Sequence, residues 1–251
     1  MSTLTFVGIG PGDPNLIPPL AQTAIENAHA IYGYAPYLAL LPKTWCIGKS
    51  LYPSGMRQEE ERVLAALHSA HSGIPTVLVC SGDPGVYALA GLGYTISAQH
   101  KIDVPIQVIP GIPALCAAAA LVGAPLVHDF ASVSLSDLLT PWERIAKRLD
   151  YASKADFVLV LYNPRSHGRP HLLEKALALL AHNLGPHCPV ALVTNAYRAK
   201  QHIAIHTLET LPCEEVSMLS ILIVGNSQTT VVGHALVTPR GYRCERTAHT
   251  P

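Results

Sequence analysis

Short apolar runs alternate with longer amphipathic stretches along most of the chain. The runs are rich in β-branched residues, as strands buried in a sheet are, and they cover Leu4–Ile9, Thr76–Cys80, Ile106–Ile109, Phe157–Tyr162, Val190–Thr194 and Leu219–Val224. Between them, apolar residues recur at helical spacing in Leu20–His29, Arg57–Ser72, Val86–Gln99, Pro113–Val122, Pro141–Ser153 and Leu172–Asn183. Strands that alternate with helices predict an α/β protein whose sheet is largely parallel.

The pattern changes in the last fifth of the chain. His202–Leu211, with the sequence HIAIHTLETL, alternates polar and apolar residues as a half-exposed strand does. Ser220–Asn226 and Thr229–Val237 follow with only a turn between them, which predicts that these two segments pair as antiparallel strands. The chain is therefore predicted to form two α/β lobes, the first with a mostly parallel sheet and the second with a mixed sheet.

A strand that ends in Pro-Gly marks the predicted joint between the lobes, at Pro110–Ala114. The predicted divisions are 1–112 for the N-terminal α/β lobe, 113–240 for the C-terminal α/β lobe and 241–251 for a loose polar tail.

Composition and charge exclude several classes of partner. The 251 residues carry 17 acidic and 17 basic side chains, so net charge gives no argument for binding nucleic acid or an anionic membrane. No apolar run approaches the ~20 residues of a membrane helix, and the first ten residues lack the basic region of a signal peptide. A cytoplasmic location is expected, with no membrane contact.

Cysteine and histidine spacing predicts no metal site. No two of the six cysteines lie within four residues of each other, which excludes the usual zinc and iron–sulfur spacings. Cys80 and Cys116 lie in apolar runs and are predicted to be reduced core residues. Three histidine pairs have metal-binding spacing but no third ligand nearby in sequence: His68/His71, His167/His171 and His202/His206.

The glycine-rich stretch after the first strand, GIGPGDP, is similar to a dinucleotide-binding loop but departs from it. Its third glycine, Gly12, comes one residue too early for the G-x-G-x-x-G fingerprint. Pro11 and Pro14 remove backbone N–H donors that a phosphate needs, and Asp13 repels it. The loop is rigid and neutral to acidic, which suits a ligand that is cationic or uncharged at this point.

Two further strands end in loops of the same character. Cys80–Leu89 contains Gly82, which permits close backbone approach, and Asp83, which can accept hydrogen bonds from hydroxyls or balance a positive centre. Val108–Leu115 contains the third Gly/Pro turn. Taken singly, each loop is an ordinary turn; taken together, the three predict a shared site, because ligands of open α/β sheets bind beyond the carboxyl ends of the strands.

Four motifs in order, VGIGPGDPNL, SGDPGVY, VIPGIPAL and LIVGN, resemble those of the tetrapyrrole methyltransferases of cobalamin and sirohaem biosynthesis. The resemblance extends from Leu4 to about Val237. It implies the tetrapyrrole methylase fold, with S-adenosylmethionine as co-substrate in a cleft between two α/β lobes, a tetrapyrrole as the other substrate, and a homodimer.

The same resemblance assigns the cofactor contacts to Pro11, Gly82, Asp83, Val86, Pro113, Ala114, Asn163 and Ala196. Two of these positions depart from the family. Pro113 stands where sirohaem relatives have threonine, and Asn163 stands where a methionine is usual. The departures concern the hydrogen bonds to the cofactor and leave the predicted binding in place.

Two further motifs, HDFASVSLSDLLTPWE and LYNPRS, resemble the branch of the family that methylates ring carbon 17 of precorrin-3B and contracts the macrocycle to precorrin-4, in the synthesis of cobalamin. The alternatives are the cobalt-containing counterpart of the anaerobic pathway, methylation at another ring position, and a carrier that binds a tetrapyrrole without catalysis.

Ring contraction requires the removal of a proton from a hydroxyl on ring carbon 20. The candidate catalytic residues are His128, Asp129, Ser136 and Asp137. Ser136 and Asp137 equally suit a helix or turn cap, and His128 a structural hydrogen bond. The candidate substrate-binding residues are Ser132, Ser134, Arg165 and Arg198, the arginines as partners of substrate carboxylates; Arg169 and Lys200 also lie in loops.

Overall fold

The computed structural model describes residues 1–165 and 171–242, and the chain forms two compact units. Unit 1 consists of Met1–Ala117 together with Ala196–Ala199, and unit 2 consists of Ala118–Asn195 and the residues from Lys200 on. The divisions at 112 and 240 stay predictions. His167, Arg169 and the tail from residue 243 lie outside the described residues.

Unit 1 contains a five-stranded parallel sheet. Its strands are β1 (Leu4–Gly8), β2 (Ala30–Tyr34), β3 (Ser50–Ser54), β4 (Thr76–Cys80) and β5 (Ile106–Ile109), in the order β3-β2-β4-β1-β5. The predictions of β1, β4 and β5 are confirmed. The pattern missed β2, which contains a glycine, and β3, which is an exposed edge strand with a proline at Pro53; both residues weaken a strand prediction.

The helices of unit 1 are α1 (Pro19–Asn27), α2 (Ala35–Leu38), α3 (Glu59–His71), α4 (Ala90–His100) and the start of α5 (Ala114–Val122). The predicted helix Val86–Gln99 begins at Ala90 instead. Tyr87 has a φ of 51°, and the N–H of Val86 donates to the carbonyl of Asp83, so a turn occupies the expected first helical turn.

The parallel sheet of unit 1 is buried on both faces. Leu4 and Phe6 belong to one apolar cluster, together with residues of α3 and α4, whereas Val7 and Ile9 belong to another, together with residues of α1. Successive side chains of a strand point to opposite faces, so the continuous apolar run of β1 supplies both layers.

Unit 2 contains β6 (Gly123–Ala124), β7 (Phe130–Ser134), α6 (Trp142–Lys154), β8 (Val158–Tyr162), α7 (His171–Leu184), β9 (Pro189–Thr194), β10 (His202–Thr207), β11 (Ser220–Val224), β12 (Thr230–Val232) and β13 (Ala235–Val237). Its main sheet has the order β10-β9-β11-β8-β7 and is mixed, because β7 and β8 are parallel while the other pairs are antiparallel. The predicted fold class is therefore observed. No helix in the described ranges is long and apolar enough to cross a bilayer.

The predicted antiparallel pairing of Ser220–Asn226 with Thr229–Val237 is wrong. β11 lies between β9 and β8, and the hairpin is formed by β12 with β13. β11 is buried along its whole length because it lies in the middle of the sheet, with a neighbouring strand on each side. The turn of the hairpin is made by Gly233 and His234, and Gly233 has the positive φ that such a tight turn requires.

The two cysteines predicted to be core residues differ. Cys80 is buried at the end of β4, whereas Cys116 is exposed on α5. Every residue of α5 is apolar, so its sequence does not distinguish the buried side of the helix from the exposed side.

The contact of Phe6 with α4 provides a test of the packing. A Cβ added to Gly93 would lie 2.3 Å from Cζ of Phe6, and both residues are buried. We expect Gly93→Ala to lower the free energy of unfolding by about 1–3 kcal/mol, because the ring has to move in a filled core. The measurement is urea unfolding followed by circular dichroism.

Gly91→Ala is the matched control on the same helix. Gly91 has no atom within 4 Å of the added Cβ, so this change is expected to be neutral or to stabilise by up to about 1 kcal/mol. Equal effects of the two substitutions would contradict the packing described for Phe6.

Candidate functional site

Three loops follow β4, β1 and β5, which are neighbours in the parallel sheet of unit 1, so the loops meet at its carboxyl edge. We call them the first loop (residues 9–13, after β1), the second loop (81–89, after β4) and the third loop (110–113, after β5). The N–H of Gly10 donates to the carbonyl of Gly82 at 3.2 Å, and the N–H of Gly82 donates to the carbonyl of Gly10 at 2.7 Å. The first and second loops are thus hydrogen-bonded to each other in both directions.

Glycines allow these loops to touch through their backbones. A Cβ added to Gly111 would lie 2.1 Å from the carbonyl oxygen of Gly82, and one added to Gly8 would lie 2.5 Å from the nitrogen of Gly111. Neither position tolerates a side chain without displacement of the backbone. The glycines at this edge therefore serve the packing of loop on loop, in agreement with the argument against a phosphate-binding loop.

Asp83 joins the second loop to the third. Its Oδ1 accepts the N–H of Gly85 at 2.7 Å, and its Oδ2 accepts the N–H of Gly111 at 3.1 Å. The carboxylate, predicted from sequence as a ligand-binding group, thus also holds the loops in place. Each of its oxygens retains a second lone pair that can accept a hydrogen bond from a ligand.

Asp13 ends the first loop as a capping residue. Its Oδ1 accepts the N–H of Asn15 at 2.8 Å and so caps the short 3₁₀ helix Pro14–Leu16. This carboxylate occupies the donor end of the helix, where an anion would otherwise bind.

The remaining cofactor candidates of unit 1 lie on or near the same loops. Pro11 is buried in the first loop, and Val86 is half-buried in the second. The Cα of Pro113 and the nitrogen of Ala114 lie within 3.8 Å of a Cβ position built on Gly82, so these residues are close together. Ala196 belongs to unit 1, whereas Asn163 follows β8 in unit 2.

Arg198 also belongs to unit 1 and contacts the first and second loops. Its Nε donates to the carbonyl of Pro11, and its Nη2 donates to the hydroxyl of Ser81 at 2.8 Å. Burial lowers the pKa of this guanidinium, and the nearby Tyr37 opposes that effect. Arg198 was selected from sequence as a partner for substrate carboxylates; the structure places these two donors on protein oxygens.

The carboxyl edge also carries groups that the sequence analysis missed. Arg62 is buried and donates to the hydroxyl of Ser54 and, at 2.9 Å, to the carbonyl of Gly55, beyond the end of β3. Its guanidinium lies 5.9 Å from the ring centre of Tyr34, which in turn packs edge-on against Tyr37. The available signal was the tyrosine-rich segment after residue 30, which was not recognised as a strand.

In unit 2, Ser134 and Asn163 lie together at the carboxyl ends of the parallel strands β7 and β8. The amide of Asn163 donates to the hydroxyl of Ser134 at 3.0 Å, and the N–H of Ser136 points to the same hydroxyl at 3.3 Å. Asn163 has a φ of 49°, a conformation that bulky residues avoid. Asp137 follows directly, and Ser132 is paired with Val160 inside the sheet.

His128 and Asp129 lie at the other end of β7. The N–H of Asp129 approaches Nδ1 of His128 at 2.8 Å, and the carbonyl of Asp129 accepts the N–H of Val158 at the start of β8. Both residues line a small cavity of about 170 Å³. At ~3.3 Å per residue, Asp129 and Ser134 are roughly 17 Å apart. The structure therefore does not bring the four candidate catalytic residues into one site.

Arg165 is half-buried beyond the end of β8, and its Nη1 donates to the carbonyl of Cys213. Its role toward a substrate stays a prediction. Across 1–165 and 171–242, no group of three histidine, cysteine or acidic side chains is arranged to hold a metal ion.

Cys80, directly before Ser81, provides a test of burial at the carboxyl edge of the sheet, because its thiol can be labelled only where reagent reaches it. Burial raises the pKa of its thiol to about 11, so at neutral pH the thiol stays protonated and unreactive. We expect iodoacetamide to label the exposed Cys116 and to spare Cys80 in the folded protein, with both labelled in guanidinium chloride. Peptide mass spectrometry measures both; equal labelling rates before unfolding would contradict the burial of Cys80.

Comparison with known proteins places this geometry in a family. The profile of the tetrapyrrole (corrin/porphyrin) methylases matches residues 3–212. The chain is 43% identical over 239 residues to a probable cobalt-factor III C(17)-methyltransferase of Salmonella typhimurium, covering 95% of this chain and 99% of the relative. It is 36% identical over 254 residues to a precorrin-3B C(17)-methyltransferase of Sinorhizobium, with coverages of 96% and 97%.

Solved structures agree with the sequence relatives. The methyltransferase CobJ superposes with a TM-score of 0.90 at 37% identity, over 95% of this chain and all of that one. A uroporphyrin-III C-methyl transferase from Thermus thermophilus, complexed with S-adenyl homocysteine, gives a TM-score of 0.64 at 26% identity, with coverages of 89% and 97%. The resemblance drawn from the sequence motifs is confirmed. This chain belongs to the tetrapyrrole methylase family.

Proposed function

We propose that this protein transfers a methyl group from S-adenosylmethionine to ring carbon 17 of precorrin-3B, with contraction of the macrocycle to precorrin-4, in cobalamin biosynthesis. The observation that carries the proposal is the joining of three Gly/Pro loops at the carboxyl edge of the parallel sheet of unit 1, without a phosphate cradle. The relatives over nearly the whole chain support the choice of reaction.

The chemistry of a sulfonium donor suits such loops. The methyl group of S-adenosylmethionine is already activated, so the transfer depends on in-line positioning more than on acid–base catalysis. The positive charge on sulfur disappears in the transition state, so a strong anion beside the sulfur would favour the ground state. In the proposed site, Pro11, Val86, Pro113, Ala114 and Ala196 supply an apolar wall. The two backbone donors on Asp83 direct its carboxylate toward the loops, and its free lone pairs suit the cofactor's hydroxyls.

The position of Asn163 supports its assignment to the same reaction. It lies at the carboxyl ends of two parallel strands, where ligands of α/β sheets bind, and its side chain is held by Ser134. The solved relative complexed with S-adenyl homocysteine, the product left by S-adenosylmethionine, supports the cofactor.

For the ring contraction, we favour Ser136 and Asp137 over His128 and Asp129. The first pair lies beyond the carboxyl end of β7, close to Ser134 and Asn163, whereas the second pair lies at the amino end. Ser132, Ser134 and Arg165 are retained as candidates for contact with the tetrapyrrole and its carboxylates, whereas two donors of Arg198 bind protein oxygens. A cytoplasmic homodimer belongs to the same proposal, on the strength of the family resemblance, and light scattering of the purified protein measures the dimer.

A specific observation favours a second substrate. The relative at 43% identity is named for cobalt-factor III, whereas the precorrin-3B relative is 36% identical. The cobalt-containing counterpart of precorrin-3B is therefore the second candidate.

The direct test is a product assay. The purified protein is incubated with S-adenosylmethionine and either precorrin-3B or the cobalt-containing counterpart, and the products are analysed by mass spectrometry and absorption spectroscopy. We expect the gain of one methyl group and the altered chromophore of a contracted ring with one of the two substrates. Absence of methyl transfer to both would contradict the proposed function.

A pair of variants tests which end of β7 carries the residues that catalyse ring contraction. We expect Asp137→Asn to lower kcat by about 100-fold, the contribution typical of general acid–base catalysis, because the amide cannot accept the proton. His128→Gln is the matched change at the amino end and should leave kcat within about threefold of the wild type. A large loss in His128→Gln with an active Asp137→Asn would reverse the assignment.

A further inference from the structure

Within the segment 196–199, the side chain of Arg198 reaches two of the three loops. Its Nε is bound to the carbonyl of Pro11, 187 positions earlier in the chain, and its Nη2 to the hydroxyl of Ser81, 117 positions earlier. Both loops carry residues of the proposed cofactor site, and the two donors lie on the same planar guanidinium. One rigid group therefore joins Pro11 to Ser81, in addition to the hydrogen bonds between Gly10 and Gly82.

The absence of a side chain at Gly12 leaves room for the side chain of Arg198. A Cβ at position 12 would lie 2.4 Å from Cγ of Arg198 and 2.8 Å from its Nε. Gly12 also has a φ of 153°, which side-chain-bearing residues rarely adopt. The third glycine of GIGPGDP, which invites a nucleotide-binding interpretation, instead leaves room for an arginine.

The backbone around Arg198 is held in an unusual conformation. Asn195, Tyr197 and Lys200 all have positive φ values, of 53°, 56° and 63°. Non-glycine residues in this region each carry a conformational cost, and they persist where the surrounding structure holds them. Residues 196–199 belong to unit 1 while the chain on both sides belongs to unit 2. The hydrogen bonds of Arg198 are among the contacts that hold this short excursion in place.

We propose that Arg198 is a positioning residue of the S-adenosylmethionine site, which fixes the first and second loops in their cofactor-binding geometry through Pro11 and Ser81, and that Gly12 is required to seat it. Arg198 acts through these two residues and does not itself contact the cofactor. This inference rests on the proposed function, because the geometry it explains is that of the proposed cofactor site. It replaces the sequence-based expectation that Arg198 binds a substrate carboxylate.

The first experiment measures S-adenosylmethionine binding by calorimetry in the full-length protein. We expect Arg198→Ala to weaken binding by about tenfold or more, since two charge-assisted hydrogen bonds are lost from the loops. Arg198→Lys should recover part of the affinity, because an ammonium can serve one of the two acceptors. Ser81→Ala should cause a smaller loss, and Lys200→Met, which changes an exposed cation next to the segment 196–199, is the control expected to leave the affinity unchanged.

A double-mutant cycle tests the seating of Arg198 by Gly12. Gly12→Ala should weaken binding in the wild-type background through both its backbone strain and its clash with Arg198. In the Arg198→Ala background the clashing atoms are absent, so the further loss should be at least threefold smaller. Fully additive losses would overturn the assignment of Gly12. Should Gly12→Ala fail to fold, the Arg198→Ala, Arg198→Lys and Ser81→Ala series still decides the role of Arg198.

Steady-state kinetics separate positioning from the other roles of an arginine. We expect Arg198→Ala to raise the KM for S-adenosylmethionine by about tenfold while kcat at saturating cofactor and the KM for the tetrapyrrole stay within about threefold. A rise in the tetrapyrrole KM alone would overturn the inference in favour of substrate binding. A lower Tm with an unchanged cofactor KM would overturn it in favour of a structural role.

Two controls distinguish failure of this inference from failure of the proposed function. If the wild-type protein does not bind S-adenosylmethionine, the proposed function fails and the inference fails with it. If the wild type binds and Asp83→Ala loses affinity while Arg198→Ala does not, the cofactor site stands and only the inference is overturned.

Discussion

The contact between backbones at Gly8, Gly82 and Gly111 is the constraint on which the candidate site of unit 1 depends. Parallel neighbours in a sheet bring the ends of β4, β1 and β5 together, but loops can approach to van der Waals contact only where side chains are absent. The close approach permits the paired hydrogen bonds between Gly10 and Gly82 and places the N–H of Gly111 within reach of Asp83. A side chain at Gly8 or Gly111 would displace the backbone of a neighbouring loop, and one at Gly82 would be strained because its φ is 68°.

Two charged side chains add further hydrogen bonds between the loops that the glycines bring into contact. Asp83 links the second loop to the third, and Arg198 contacts the first loop and the second. Each charged group is bound by uncharged partners, the carboxylate by backbone N–H groups and the guanidinium by a carbonyl and a hydroxyl. Such bonds are directional, and in a partly buried setting they are stronger than the same contacts in water. These bonds fix the positions of the loops relative to one another, which suits a reaction that depends on positioning.

Unit 2 shows how strand geometry sorts candidate residues that are adjacent in sequence. His128, Asp129, Ser136 and Asp137 fall within one motif, yet the intervening strand β7 carries the two pairs to opposite ends of the sheet. An extended strand advances by ~3.3 Å per residue, so residues at its two ends lie far apart in space although they are only a few positions apart in sequence. The reverse holds for Ser134 and Asn163, which are 29 positions apart and share a hydrogen bond.

The sequence by itself determined the α/β class, the strands β1, β4 and β5, and the glycine-rich character of the loops after them. These features are local, because a short apolar run bounded by Gly and Pro carries its own signal. Only the tertiary structure decided the partners of Asp83 and Arg198, the exposed side of α5 and the place of β11 between β9 and β8. These features depend on strand order and on which elements pack together. A hydrogen bond between residues 28 or 187 positions apart has no signal in the sequence next to either residue.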